Sequence, residues 1–207
     1  FTKSDSKFWS KSLIYENQLS EDEVFPISSY EIITETSQKT IPCYQNSYAI
    51  TFKNGHVKIY NPFSGNRAYR FIGTMDNNDI GNIDNLEENG DTLIITKSYK
   101  DHRVFRNILN TDNVIWFHNE GCIPDDVEIL KNLLNRFKKI IVFYDNDEPG
   151  IIAGGKIVKY LLSLNIHENI LQKHIPKKYE KTKDISDYLY KEGRIDTLKL
   201  LKKLKIK

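Results

Sequence analysis

The chain has 207 residues, 39% of them hydrophobic, with a formal charge of only +2, enough for one large domain or two small ones around a real core. Its two cysteines, Cys43 and Cys122, lack CxxC spacing, which excludes a zinc ribbon or a disulfide framework and fits a reducing, cytoplasmic compartment. No apolar run approaches the length of a membrane span, and no signal-peptide pattern is present. Charge is unevenly spread: residues 1–90 carry 8 Lys/Arg against 12 Asp/Glu, and residues 91–207 carry 22 against 16. A polyanionic partner for the second half or a solvated lysine surface explains this equally well. The chain begins at Phe1 and its only methionine is Met75, so a fragment of a longer protein is expected.

In chain order, Phe8, Trp9, Leu13 and Ile14 recur at helical intervals within Lys7–Tyr15, giving a short helix with an aromatic face. Ser20-Glu-Asp-Glu23 has the capping-box form and predicts the start of a second short helix, ended by Phe25-Pro26. From Ser28 the texture becomes β, with strands over 30–36, 48–52 and 57–60. Asn54-Gly55 between the last two is a strong hairpin signal. Residues 68–72 add a candidate strand, and the Asn/Asp-rich stretch 74–91 reads as a connecting loop with a subdomain boundary at 90.

From Thr92 onward strands and helices alternate. Strands are expected at 92–96, 114–117, 140–144 and 170–175, with helices at 99–109, 125–137 and 151–164. Such alternation implies a parallel sheet with flanking helices. A short helix starts at Lys183–Leu189, and a last, lysine-studded one covers 194–204. The segment Ile140–Tyr144 is a doubly buried strand that stops at Asp145-Asn-Asp147. Two carboxylates at the carboxyl end of such a strand lie where open α/β sheets bind ligands. Unpaired, they repel each other, and a hard cation such as Mg²⁺ would relieve the conflict. A solvated Asp-Asn-Asp turn is the competing reading.

Four segments in register carry a resemblance: Thr96-Lys-Ser-Tyr-Lys-Asp101, Asn119-Glu-Gly121, Asp145-Asn-Asp-Glu-Pro-Gly150 and Lys183-Asp-Ile-Ser-Asp187. Together they resemble the Toprim domain of bacterial primases and phage primase-helicases. That family has an acidic motif after its first strand, a Gly turn after its second, and Asp-x-Asp-x-x-Gly after its third. A Lys-Asp pair after its fourth completes the set. The resemblance covers residues 92–190. Residues 1–90, with an aromatic helix and Lys58-Ile-Tyr-Asn-Pro62, are similar to the small α+β subdomain preceding Toprim in primases. It implies a Toprim-like parallel sheet over 91–190, an α+β subdomain over 1–90 and a basic C-terminal helix over 191–207. The Thr-Lys-Ser-x-Lys-Asp form looks like the phage branch and departs from the usual Glu-Gly-x-x-Asp, placing Lys97 at the Glu and Asp101 at the Asp. Glu120 is the candidate for the missing carboxylate.

What the resemblance implies is primer synthesis: nucleotidyl transfer from ribonucleoside triphosphates on a single-stranded DNA template with Mg²⁺ or Mn²⁺. A zinc-binding domain and a replicative helicase would be partners. Asp145, Asp147 and Asp184 are the expected metal ligands, and Lys97, Asp101 and Glu120 join Asp145 and Asp147 in the catalytic set. Asp184 reads equally as a helix N-cap, and Asp101 as a ligand or as a residue orienting Lys97. Lys58, Arg67, Arg70, Lys100 and Lys183 are the expected nucleic-acid or nucleotide contacts. His102, His118 and His167 read as structural, and Trp9 and Trp116 as core. A catalytically impaired Toprim binding module and a metal-dependent Toprim nuclease are the alternatives.

Overall fold

A computed structural model describes residues 1–179 and 181–206, and the chain divides into two compact units, residues 1–76 and 77–207. The first unit starts with helices α1 (Lys3–Ser10) and α2 (Glu16–Glu21). Thr2 opens α1: Asp5 N–H donates to its hydroxyl, and its own N–H donates to Asp5 Oδ2 at 2.6 Å. Ser20-Glu-Asp-Glu23 ends α2 instead of starting it, correcting the expected cap; at that helix's actual start Tyr15 N–H donates to Gln18 Oε1 at 3.2 Å. The strands that follow are β1 (Val24–Pro26), β2 (Ser29–Ile33), β3 (Gln38–Pro42), β4 (Tyr48–Thr51), β5 (Val57–Tyr60) and β6 (Phe71–Gly73).

Strands β1, β4, β5 and β6 form one antiparallel sheet in the order β1-β4-β5-β6, and β2 and β3 form a separate hairpin. The Asn54-Gly55 turn joins β4 to β5 as expected, with Gly55 at φ 84°. The expected strand at 68–72 is half a 3-10 turn, Arg67–Tyr69, because Asn66 Oδ1 accepts from Ala68 N–H and starts a tight turn there. Trp9 and Tyr48 are buried together with ring centroids 5.0 Å apart, so Trp9 belongs to the core as read.

The second unit consists of β7 (Ile80–Gly81), β8 (Gly90–Thr96), α3 (Tyr99–Leu109), β9 (Val114–Phe117), α4 (Val127–Leu134), β10 (Phe137–Phe143), α5 (Glu148–Ser163), β11 (Ile170–Lys173) and α6 (Ile185–Lys203). The boundary falls at Asp76–Asn77, not at 90, because Ile80 and Leu86 join the second core and β7 pairs antiparallel with β9. Phe137 starts β10 instead of closing α4, since Asn135 caps that helix first. The expected C-terminal helix after 191 is the far half of α6, kinked at Gly193, whose φ of 78° an L side chain adopts only with strain.

The sheet order is β11-β10-β8-β9-β7, with β8, β9, β10 and β11 parallel. Its two faces follow from alternation along the strands. Leu93, Ile95, Ile115, Ile140 and Val142 share a core with Leu130, Leu133 and Leu134 of α4 and Ile157 and Leu161 of α5. The opposite parity meets α3, where Phe105 lies edge-on to Phe143 at 4.9 Å and Tyr99 edge-on to Trp116 at 6.1 Å. The chain leaves β8 through α3 towards β9, and leaves the adjacent β10 through α5 towards β11. The carboxyl ends of β8 and β10 therefore flank a topological switch point, the position at which open α/β sheets bind ligands.

Candidate metal and nucleotidyl-transfer site

At the end of β8, the Thr96 hydroxyl donates to Ser98 O (3.2 Å) and lies 3.3 Å from Ile115 O. Ser98 caps α3 by accepting from Asp101 N–H at 3.1 Å, and its hydroxyl donates to Asp101 Oδ2 at 2.7 Å. Lys97, between these anchors, places Nζ 2.7 Å from Asp145 Oδ2 and also pairs with Glu120 Oε1. Glu120 is presented by a turn in which Gly121 N–H donates to Asn119 Oδ1 at 2.7 Å.

At the end of β10, Asp147 caps α5 by accepting from Gly150 N–H (3.1 Å) and receives Lys183 Nζ on its other oxygen (3.0 Å). Asn146 N–H donates to Lys183 O (2.9 Å), and its side-chain amide donates to Thr182 O (2.7 Å). These bonds pin the segment leading into α6. Asp184 then caps α6, accepting from Asp187 N–H at 2.7 Å. Two residues on, the Ser186 hydroxyl donates to Asp101 Oδ1 at 2.6 Å, tying α6 to α3.

The result is two overlapping acidic groups, Asp101–Asp145–Asp184 and Glu120–Asp145–Asp147, each with ligand oxygens within 4.8 Å of one another. Asp145 belongs to both. Its Oδ1 is buried with no hydrogen-bond partner among the described residues, a state that costs free energy unless a cation or donor arrives. An all-carboxylate set with an unsatisfied buried oxygen suits a hard divalent cation.

Burial raises the Asp145 carboxyl to about 6 despite the neighbouring Lys97 ammonium. Burial also raises Asp101 to about 7, helped by the Asp184 charge and opposed by Lys100. For Lys97, burial works against the charged form, but Asp145 and Glu120 outweigh it and hold the ammonium well above its ordinary range. Burial is likewise outweighed at Asp147, where Lys183 and the Gly150 N–H hold the carboxyl below its ordinary value. At neutral pH the Lys97–Asp145 and Lys183–Asp147 pairs are both ionic. The repulsion expected from the sequence between Asp145 and Asp147 is thus offset by two lysines of the chain itself.

The structure brings together Lys97, Asp101, Glu120, Asp145, Asp147, Lys183 and Asp184. Asp184 is the N-cap of α6, one of the two readings offered for it, and it also belongs to one of the acidic groups. Asp101 is held by Ser98 and Ser186. Lys100 follows on the first turn of α3. Of the first-unit cations, Arg67 is exposed, and Arg70 Nε donates to Ser64 O at 3.1 Å. Lys58, expected to contact nucleic acid or nucleotide, is buried with Nζ 5.0 Å from the Phe71 ring centroid. Asn146 and Ser186 escaped the sequence reading. Asn146 sits between two marked aspartates, but its side-chain partner is a backbone carbonyl 36 residues away that no local pattern announces. His102 is buried, and His167 Nε2 lies 2.6 Å from Phe137 O, in keeping with structural roles.

The sequence matches no protein-family model and no curated protein. Solved structures do match in fold. The zinc-binding and RNA polymerase domains of the Aquifex aeolicus primase superpose with a TM-score of 0.64 at 15% identity, covering 98% of this chain and 56% of that one. A DnaG primase catalytic domain bound to single-stranded DNA gives 0.63 at 10% identity, covering 96% and 74%. The primase fragment of the bacteriophage T7 primase-helicase gives 0.54 at 11% identity, covering 91% and 71%. The chain has the α/β fold of primase catalytic cores, and the Toprim resemblance holds at the level of fold.

Proposed function

We propose that this chain is the RNA polymerase core of a phage-type DNA primase, joining ribonucleotides into short primers on single-stranded DNA. The observation that supports it most is the convergence of five carboxylates and two lysines at the switch point between β8 and β10. Asp145, with Asp101 and Asp184 or with Glu120 and Asp147, would hold Mg²⁺ or Mn²⁺. Such an ion supplies charge neutralisation and alignment of the attacking and leaving oxygens in nucleotidyl transfer. Lys183, two-thirds exposed, would meet a triphosphate on releasing Asp147, and Lys100 on α3 is a second candidate for this contact. Arg67 and Arg70 remain candidate template contacts in the first unit. A zinc-binding template reader and a helicase, in cis or in trans, would complete the machine.

The Lys97–Asp145 pair favours a second reading, in which Lys97 takes up a carboxylate the metal would need and the chain is a nucleic-acid or nucleotide binding module. Incubation with single-stranded DNA, ribonucleoside triphosphates and either Mg²⁺ or Mn²⁺ separates the possibilities. Primase activity gives RNA dinucleotides or longer products. Tight, salt-sensitive DNA binding without product under either metal would replace it with the binding module, and nicking without nucleotides would indicate a nuclease.

A further inference from the structure

Lys97 sits where a cation is needed. Its ammonium bridges Glu120 and Asp145, two members of one acidic group, while Lys183 pairs with Asp147, the third. A divalent ion among these three carboxylates would lie within a few ångströms of the Lys97 ammonium, and the two positive charges would repel strongly in a site largely shielded from water. The other group differs. Asp101 and Asp184 are held by hydrogen bonds from Ser98, Ser186 and a backbone N–H, and Asp145 contributes an Oδ1 with no partner from a side chain only 10% exposed.

We propose that Lys97 stands permanently in place of one divalent cation. The chain then binds a single metal ion, at Asp101, Asp145 and Asp184, and fills the Glu120–Asp145–Asp147 group with its own ammonium. Two consequences follow. The vacant charge requirement of the cluster is smaller by one divalent ion than that of an all-carboxylate site. Because an ammonium is a fixed +1 charge on a tether, the negative charge of Glu120 and Asp145 is partly offset before nucleotide arrives.

This inference rests on the cluster being a metal centre, but counting ions needs no turnover. A chain that makes no primer yet shows the expected counts would sink the primase reading alone. Free Mn²⁺ is followed by electron paramagnetic resonance as it is added to the whole chain. One bound ion is expected for wild type, one for Lys97→Arg, which keeps the charge, and two for Lys97→Gln, which empties the second group. Equal counts for wild type and Lys97→Gln overturn the proposal. Because Lys97→Gln leaves buried carboxylates unpaired and could unfold, anomalous scattering from wild-type crystals soaked in Mn²⁺ gives an independent answer. The expected result is one peak among Asp101, Asp145 and Asp184 with Lys97 still on Glu120. A peak between Glu120 and Asp147, or no peak beside Asp145, contradicts it.

Discussion

Asp145 carries opposing demands: a buried carboxylate, one oxygen on an ammonium and the other without a partner. From sequence, removing Asp145 should relieve its repulsion with Asp147. With Lys97 behind it, Asp145→Ala instead leaves a largely buried ammonium with Glu120 alone. The metal-free protein should lose about 1–3 kcal/mol, measured by urea denaturation, whereas Asp147→Ala frees a more exposed lysine and removes the α5 cap, at a cost of about 0.5–2 kcal/mol that comes mainly from the cap. The pH dependence has a definite sign. Asp145 and Asp101 bind protons more tightly folded than unfolded, with values raised to about 6 and about 7. The stability linked to those protons is present below about pH 4 and is lost as pH rises through 6 and 7. Metal-free Tm should therefore fall across that window, less so in Asp101→Asn, and Mn²⁺ affinity should rise across it as the protons leave. A pH-independent Mn²⁺ affinity between pH 5.5 and 7.5 would contradict this.

The strand ends depend on how α5 starts against β10. Gly150 approaches so closely that an added Cβ would lie 2.7 Å from both the Cβ and the carbonyl oxygen of Asp145. Gly150→Ala should cost about 1–3 kcal/mol in denaturation and weaken Mn²⁺ binding by displacing Asp145; unchanged Mn²⁺ affinity would show that the turn is soft. The elements of the second unit were the legible part of the sequence. The β8, β9 and β10 runs are apolar on both faces, and α3 and α5 have local caps in Ser98 and Asp147 that short-range rules detect. The first unit was harder to read. Its strands are three to five residues long, β2 and β3 are largely exposed, and the Ser20-x-x-Glu23 cap pattern arose by chance at a helix end. In the site, each charged member could be found from its motif. That Lys97 shares their cleft follows from the resemblance, but its particular partners, Glu120 and Asp145, depend on β8 and β10 being neighbours with Ile95 opposite Val142.

As a whole molecule, the chain joins two separately cored units, and among the described residues no helix is long and apolar enough to cross a membrane. All five carboxylates and both lysines of the site lie in residues 77–207. That piece should fold cooperatively and bind Mn²⁺ as the full chain does. A piece starting at 91 loses Ile80, Leu86 and β7, and should melt at a lower temperature; equal melting points would return the boundary to position 90. The central claim is that these carboxylates drive nucleotidyl transfer. Its most direct measurement is the rate of dinucleotide formation from ribonucleoside triphosphates on single-stranded DNA with Mn²⁺, compared between wild type and Asp145→Asn. The predicted result is template-dependent product from wild type and a loss of at least about a hundredfold in the variant, with fold retained by circular dichroism. Synthesis by Asp145→Asn at near the wild-type rate would contradict the claim.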